Sequence, residues 1–335
     1  MSGTRSRASS DARFLNRALW LAGRIAPRAV SPNPRVGCVI VKAGRVVGEG
    51  AHARFGGPHA EVLALAKAGA RAKGATAYVT LEPCAPFAGK KTPSCARALA
   101  EAGIKRVIFP SLDPNAKVAG RGASLLKRAG VRAERRAELT SEAEALNRGF
   151  FSRMRRGRPW VILKTALSLD GKAAAASGRS RWVTGPQARA AVHEMRSELD
   201  AILVGAGTVL ADDPALTAHG AGPNPLRVVL AGRRPLPRRA RVFDEAAPTV
   251  VYRVRRPGDL RAALRDLARD GVGTLLVEGG PTVHASLLRA GLVDEARVFL
   301  APKLLSGADD PNTAPRVKAP RLTRVGGDWL IQGVL

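Results

Sequence analysis

The sequence contains few cysteines and few aromatic residues. Only 3 of its 335 residues are cysteine, and aromatic residues make up 4%. Three cysteines cannot build the disulfide framework of a secreted scaffold, so we expect a reducing, cytoplasmic environment. Long apolar runs are also missing, which predicts no transmembrane helix. Charged residues such as Arg13 and Arg17 interrupt the N-terminal segment, which argues against a signal peptide.

Acidic residues are scarce relative to basic ones. Lysine and arginine total 55 against 27 aspartates and glutamates, which gives a formal net charge of +28. Such a charge suggests nucleic-acid binding, but the basic residues are spread along the whole chain, and few aromatics are present to stack on bases. We therefore predict a solvated, arginine-rich surface with no specific nucleic-acid partner. Weak steering of a phosphorylated substrate is the alternative use of this charge.

The order of strand and helix patterns predicts an α/β protein. Apolar strand segments such as Val36–Val41 alternate with segments of helical periodicity through the first half. The pattern breaks at residues 148–158, a basic stretch with little periodicity, and a buried-strand pattern restarts at Trp160–Thr165. Since the length also favours two domains, we predict domains at residues 1–150 and 151–335.

Histidine and cysteine are concentrated in one window of the first half. His59 and Glu61 begin a predicted helix, Cys84 follows a predicted strand, and Cys95 begins another helix. Three such ligands leave one position of a zinc ion open for water, and a nearby unbound carboxylate can move protons. This H-x-E…P-C…C pattern is typical of zinc-dependent nucleoside and nucleobase deaminases. We therefore predict His59, Cys84 and Cys95 as zinc ligands and Glu61 as the catalytic residue.

The spacing between the two cysteines indicates which deaminases are most similar. Nucleic-acid editing deaminases typically carry P-C-x-x-C, whereas ten residues, Ala85–Ser94, separate the cysteines here. Together with SPNPRVGCVIV, LEPC, TPSCARALAEAG and DPN, this region resembles the pyrimidine deaminase domain of bifunctional riboflavin-biosynthesis deaminase/reductases. The resemblance implies a cytidine-deaminase-like three-layer fold. The spacer in that family is usually slightly shorter.

Three further residues of the first half have two readings each. The resemblance implies that Asn33 contacts the pyrimidine or its phosphoribosyl group, but an Asn-Pro pair is also a turn signal. It places His52 near the pocket, either supporting the site or serving the fold alone. Cys38 lies inside an apolar strand, which favours a core residue over a ligand.

The second half contains neither the Rossmann nor the P-loop fingerprint. Glu278-Gly279-Gly280 stands between a predicted strand and a predicted helix, where glycines admit a ligand and a helix N-terminus can bind phosphate. A purely structural turn would have the same composition.

Longer motifs of the second half resemble the reductase domain of the same bifunctional family. They are LKTALSLDGKAAAASGRSRWVTGPQAR, AILVGAGTVLADDPALT and LLVEGGPTVHASLLRAGLVDE. The resemblance implies a dihydrofolate-reductase-like α/β fold that uses NADPH. The implied cofactor-binding residues are Ala166, Trp182, Thr208, Asp212, Gly280, Pro281, Thr282, Val283, His284, Ala285 and Ser286. The implied substrate-binding residues are Lys164, Ser180, Arg196, Leu216 and Glu278.

Two positions of the second half depart from the reductase pattern. His219 stands where the family commonly has an arginine that grips phosphate, and Ala231 stands where it has an acidic residue. Arg227 or Arg233 is the candidate replacement for the phosphate grip.

The prediction is therefore a bifunctional riboflavin-pathway enzyme. Zinc-bound hydroxide would deaminate 2,5-diamino-6-(5-phosphoribosylamino)pyrimidin-4-one, and NADPH would then reduce the ribosyl group to ribityl. We expect a small phosphorylated pyrimidine as substrate, no membrane association, and a homodimer or higher homo-oligomer. Two alternatives stay open: a deaminase with a degenerate reductase domain, and a nucleic-acid editing deaminase with a basic accessory domain.

Overall fold

The computed structural model describes residues 2–86, 94–116, 118–325 and 328–334. The chain forms two compact units. One contains residues 1–160 and 264–273, and the other contains residues 161–263 and 274–335. Each unit combines helices with a sheet, so the predicted α/β class is confirmed.

The first unit is built around a mixed five-stranded sheet. Its strands are β1 (Gly37–Lys42), β2 (Arg45–Ala51), β3 (Thr76–Val79), β4 (Arg106–Phe109) and β5 (Arg132–Arg135), in the order β2-β1-β3-β4-β5. Strand β1 is antiparallel to β2 and to β3, while β3, β4 and β5 run parallel. Its helices are α1 (Ser2–Gly23), α2 (Pro27–Val30), α3 (Ala60–Ala68), α4 (Cys95–Glu101), α5 (Arg121–Arg128), α6 (Thr140–Leu146) and α7 (Arg148–Arg156).

Helices cover both faces of this sheet, which gives the predicted three layers. Successive side chains of a strand point to opposite faces, and in β1 both sets are buried. Cys38 and Ile40 join a core with residues of α3, α4 and α5, whereas Val39 packs with Phe14 and Leu15 of α1. Cys38 is therefore a core residue, as its apolar strand predicts.

Two glycines of β2 let α3 lie directly on the sheet. A side chain at Gly48 would place its Cβ 2.2 Å from the Ala64 carbonyl oxygen, and one at Gly50 would lie 2.7 Å from that of Ala60. Only glycine allows this close backbone approach. The contact fixes the beginning of α3, where the predicted His59 and Glu61 stand.

Residues 148–158, the basic stretch with little periodicity, form a helix over most of their length. Helix α7 occupies Arg148–Arg156 and ends at Gly157, which has a left-handed φ of 62°. Its buried residues are Gly149, Phe151 and Ser152. Because two of these three are small, the buried face leaves no apolar period in the sequence.

The second unit is built around a six-stranded sheet of order β11-β6-β10-β7-β8-β9. Its strands are β6 (Trp160–Ser168), β7 (Ala201–Gly205), β8 (Leu226–Ala231), β9 (Thr249–Arg253), β10 (Thr274–Val277) and β11 (Glu295–Ala301), and β12 (Lys318–Val325) pairs separately with β13 (Asp328–Val334). The helices are α8 (Pro186–Glu198), α9 (Ala206–Asp212) and α11 (Pro281–Arg289), and α10 (Pro257–Arg269) begins in this unit. Strands β10, β7, β8 and β9 run parallel, as β11 does to β6.

Across the described ranges, no helix combines the length and the apolar character needed to cross a membrane.

Candidate active sites

Four side chains of the first unit converge because of the loops that carry them. His59 is the N-cap of α3, and Glu61 lies in the first turn of that helix. Cys84 follows β3, and Cys95 is the first residue of α4. The backbone N–H of Cys95 lies 3.4 Å from the Cys84 sulfur, so the start of α4 is held against the Cys84 loop.

The His59, Cys84 and Cys95 side chains are arranged as a metal-binding cluster. Their ligand atoms all lie within 4.8 Å of one another. The Nδ1 atom of His59 is 3.2 Å from the Cys95 sulfur and 3.7 Å from the Cys84 sulfur. Tetrahedral zinc with ordinary bond lengths places such nitrogen and sulfur ligands roughly 3.6 Å apart. The donor set and its spacing therefore fit zinc.

Glu61 lies beside this cluster in an almost fully buried position. The residue is 3% exposed, and its carboxyl group is hydrogen-bonded to the Cys95 side chain. Burial, and then the negative charge of Cys84, raise the pKa of Glu61 to about 7. A carboxyl group with a pKa near neutrality can both accept and donate a proton, as a catalytic acid/base must.

His52 packs on His59 and is also buried. The two rings meet edge to face with centroids 5.3 Å apart, and His52 Nδ1 lies 3.0 Å from the Pro58 carbonyl oxygen. Burial lowers the pKa of His52 from its ordinary value. The structure thus places His52 where it supports the His59 loop.

Asn33 takes part in a turn, in agreement with the Asn-Pro signal. Its backbone N–H donates to the Val30 carbonyl oxygen at 2.8 Å. Its contact with substrate stays a prediction. Of the longer spacer Ala85–Ser94, residues 87–93 lie outside the described residues.

The structure adds two acidic residues that sequence reasoning missed. Glu82, two residues before Cys84, is 2% exposed, and its carboxylate accepts hydrogen bonds from the backbone at Asp113, Gly120 and Ala123. Burial raises the pKa of the Asp113 side chain to about 6, and the charges of Glu82 and Cys84 add to this effect. Both residues occur in motifs that the sequence makes visible, LEPC and DPN, but their contacts cannot be read from the chain.

In the second unit, three predicted substrate-binding residues form one ionic cluster. Glu278 follows β10 and accepts hydrogen bonds from Arg196 of α8 at 2.8 and 3.1 Å. Lys164 of β6 lies 3.5 Å from the same carboxylate. Burial opposes ionisation, but Arg196 and then Lys164 hold the pKa of Glu278 below its ordinary value. Two cations thus share one anion, which leaves the cluster with one excess positive charge.

The glycine-rich turn after β10 lies against the turn after β7. A side chain at Gly280 would place its Cβ 3.9 Å from the Thr208 hydroxyl, and one at Gly205 would lie 2.7 Å from Val283. Thr208, Gly280 and Val283 are therefore brought together. Parallel neighbouring strands place these turns at one edge of the sheet.

The remaining predicted reductase residues differ in their exposure and in their contacts. The Trp182 ring is half exposed, with the Arg189 guanidinium 4.4 Å from its centroid, and Arg181 donates to the Asp212 carbonyl oxygen. The Leu216 side chain belongs to the hydrophobic core, so any substrate contact is left to its backbone. The others lie where their elements place them: Ala166 in β6, Ser180 in the loop before α8, and Pro281, Thr282, His284, Ala285 and Ser286 in α11.

Arg227 does not replace the missing phosphate grip. Its side chain is fully buried in β8. Its guanidinium donates to the Asp244 carboxylate at 2.7 Å and to carbonyl oxygens that include those of Ala215 and Ala247. An arginine used in this way has no donor left for a ligand, so of the two candidates for the phosphate grip only Arg233 is left. His219 instead stacks on His193 of α8, with ring centroids 4.3 Å apart.

Two protein families match the chain, one in each unit. The cytidine and deoxycytidylate deaminase zinc-binding region matches residues 8–111, and the RibD C-terminal domain matches residues 159–331. The first match includes all three residues of the metal-binding cluster.

Full-length relatives match nearly the whole chain. Riboflavin biosynthesis protein RibD of Escherichia coli (strain K12) is 41% identical over 95% of this chain and 97% of the relative. The structure of Acinetobacter baumannii RibD, form 1, has a TM-score of 0.82 and 36% identity, covering 97% of this chain and 99% of that one. A diaminohydroxyphosphoribosylaminopyrimidine deaminase/5-amino-6-(5-phosphoribosylamino)uracil reductase from Thermotoga maritima has a TM-score of 0.77 and 35% identity, covering 96% and 98%.

A deaminase-type zinc cluster and a reductase-type α/β unit in one chain define a bifunctional deaminase/reductase. The chain belongs to the RibD family of riboflavin biosynthesis. The predicted fold classes, the enzyme class and the cofactors Zn²⁺ and NADPH are thereby confirmed.

Proposed function

We propose that residues 1–150 deaminate 2,5-diamino-6-(5-phosphoribosylamino)pyrimidin-4-one and that residues 151–335 reduce the ribosyl group of the deaminated product to ribityl. The division is supported by where the two family matches fall, residues 8–111 and 159–331. One chain would then carry out two consecutive steps at two separate sites.

In the first site, His59, Cys84 and Cys95 hold zinc, and Glu61 moves the protons. Bound zinc acidifies water and so supplies a nucleophile near neutral pH. Glu61 accepts a proton from the attacking water and delivers it to the departing ammonia. Its burial and its raised pKa support both transfers, since each requires a group that titrates near the working pH. Asn33, in the turn after α2, holds the pyrimidine or its phosphoribosyl group.

In the second site, bound NADPH supplies the hydride, and the protein positions the acceptor carbon. The residues that would hold the cofactor are Ala166, Trp182, Thr208, Asp212 and the Gly280–Ser286 segment. Lys164, Arg196 and Glu278 contact the substrate together with Ser180 and Leu216. The excess positive charge of the Lys164–Glu278–Arg196 cluster supports the binding of an anionic, phosphorylated substrate.

The observation that carries the deaminase assignment is the convergence of the three ligand atoms within 4.8 Å, beside the buried Glu61. The test is to incubate the protein with the diaminopyrimidine substrate, with and without NADPH. We expect ammonia release in both reactions and NADPH oxidation only after deamination. Ammonia without any NADPH oxidation would indicate that the reductase has degenerated, with His219 and Ala231 the first residues to restore to the family pattern. No ammonia would refute the deaminase assignment.

We also propose a cytoplasmic enzyme that forms a homodimer or higher homo-oligomer and has no specific nucleic-acid partner. None of the three cysteines, all of which lie in the described ranges, forms a disulfide, which suits a reducing compartment. Light scattering coupled to size exclusion measures the oligomeric state. A salt titration with duplex DNA should give only weak binding without sequence preference.

A further inference from the structure

The buried side chain of Glu82 has no role in the proposed mechanism. It stands two residues before Cys84 and is 2% exposed. One carboxylate oxygen accepts from the N–H of Ala123 at 2.9 Å, and the other accepts from the N–H groups of Gly120 at 2.9 Å and Asp113 at 3.3 Å. A single buried side chain thus ties the Cys84 loop to backbone more than thirty residues further along the chain.

The backbone next to Glu82 is held just as closely. A side chain at Gly122 would place its Cβ 1.9 Å from the Pro83 carbonyl oxygen and 3.2 Å from the Glu82 carboxylate. The peptide that leads into Cys84 is therefore in van der Waals contact with the first turn of α5. Glycine at position 122 permits this contact, and the Glu82 hydrogen bonds on either side of it fix its register.

The other side of Cys84 is anchored by α4. The Ser94 hydroxyl donates to the Cys84 carbonyl oxygen at 2.8 Å, and the N–H of Ala96 donates to the same oxygen at 3.2 Å. Cys84 therefore lies between two attachments, one through its own carbonyl and one through Glu82 and Pro83. Removing the second attachment frees the peptide that sets the direction of the Cys84 side chain.

We propose that Glu82 is a positioning residue of the deaminase site, whose carboxylate fixes the Pro83–Cys84 peptide against α5 and so sets where the Cys84 sulfur lies. The proposal rests on the proposed function, in which Cys84 is a zinc ligand. Glu82 touches no reacting atom and acts through Cys84. Groups that orient metal ligands without binding the metal themselves typically contribute about 10–100-fold to metal affinity or activity.

The test uses the full-length protein with Glu82→Gln. Glutamine keeps the length of the side chain but turns an NH₂ group toward backbone N–H donors, so it cannot accept all three hydrogen bonds. We expect zinc release to a chelator to be about 10–100-fold faster. We also expect altered ligand-field bands when Co²⁺ replaces zinc, since those bands report the geometry of the ligand atoms.

Glu134→Gln is the matched control. Glu134 pairs with Arg106 at 2.6 Å and lies in β5 of the same unit, a strand that carries no residue of the metal-binding cluster. Its loss can lower the melting temperature but should leave zinc release and the Co²⁺ spectrum unchanged. Glu82→Asp keeps a carboxylate too short to reach all three donors, and it is the variant to measure if Glu82→Gln does not fold.

The proposal is overturned if the folded Glu82 variant releases zinc at the parent rate with an unchanged Co²⁺ spectrum, or if Glu134→Gln changes both equally. Failure of the proposed function looks different. In that case the parent protein itself binds neither zinc nor Co²⁺ through sulfur, and no sulfur-to-cobalt charge-transfer band is seen.

Discussion

Replacing Arg227 tests how far one buried side chain stabilises the second unit. The substitution is Arg227→Met, which keeps an unbranched chain of similar length and removes the guanidinium. Arg227 is fully buried, and two of the carbonyl groups that it satisfies, on Ala215 and Ala247, belong to buried residues. Asp244 is largely exposed and returns to water, so its pairing is not counted.

The magnitude follows from those two carbonyl groups. Leaving a buried acceptor without a donor costs about 1–3 kcal/mol, so the loss is about 2–6 kcal/mol for the pair. For a unit of this size, 1 kcal/mol corresponds to about 2–4 °C, which predicts a melting temperature lower by roughly 4–24 °C. Only the unfolding transition of the second unit should move.

The assay is differential scanning calorimetry, with zinc content measured on the same samples. Arg239→Met is the control, since Arg239 is exposed and its loss should change stability by less than about 0.5 kcal/mol. If Arg227→Met unfolds at the same temperature as the control, the hydrogen bonds from Arg227 to the buried carbonyl groups do not stabilise the unit. If it unfolds normally but loses affinity for phosphorylated substrate, Arg227 is a phosphate ligand after all.

Three other perturbations follow from the structure. Cys95→Ala should lower zinc from about one ion per chain to near none, whereas Cys38→Ala should keep it; unchanged zinc in the first variant would remove Cys95 from the site. Despite its burial, hydrogen bonds from Arg106, Arg136 and Tyr78 hold the pKa of Asp11 below its ordinary value of 3.8. The contribution of Asp11 to the free energy of unfolding is therefore complete above pH 3.8. It is lost as the pH falls through the lower pKa that Asp11 has in the folded protein. Asp11→Asn should flatten this part of an acid-unfolding curve, and an unaltered curve would contradict the ion-pair reading. Burial and Arg196 lower the pKa of His219, and burial likewise lowers that of its stacking partner His193. Both rings gain charge only below about pH 6.5. The KM of the reductase for its phosphorylated substrate should then rise as the pH increases towards about 6.5, and less so in His219→Arg; equal slopes in both proteins would exclude His219 from the phosphate site.

The metal-binding cluster could be predicted from the sequence because its residue types are rare. With 3 cysteines and 5 histidines in the chain, a histidine, a glutamate and two cysteines within one window have few interpretations. The strand at Val36–Val41 could also be predicted, because it is a continuous apolar segment and forms the buried strand β1. At the metal-binding cluster, the spacing of the residues and their ligand chemistry therefore lead to the same prediction.

The features that sequence reasoning missed depend on backbone groups far along the chain. Arg227 was considered as a phosphate ligand, but carbonyl groups 12 and 20 residues away in the chain accept its hydrogen bonds. Glu82 is similar, since the backbone N–H groups that donate to its carboxylate belong to residues 31 to 41 positions further along the chain. Backbone N–H and C=O groups are the same in every residue, so no residue type marks these contacts. Helix α7 was missed because arginines occupy most of its exposed positions.

The most direct test of two independent sites is the Glu61→Gln variant, supplied separately with each of the two substrates. The substitution leaves the three metal ligands in place and removes the carboxylate that moves protons. Ammonia release should fall by about 10²–10⁴-fold, while NADPH oxidation with the deaminated pyrimidine should match the parent. Loss of both activities in a folded, zinc-loaded variant would contradict the assignment of deamination and reduction to separate sites.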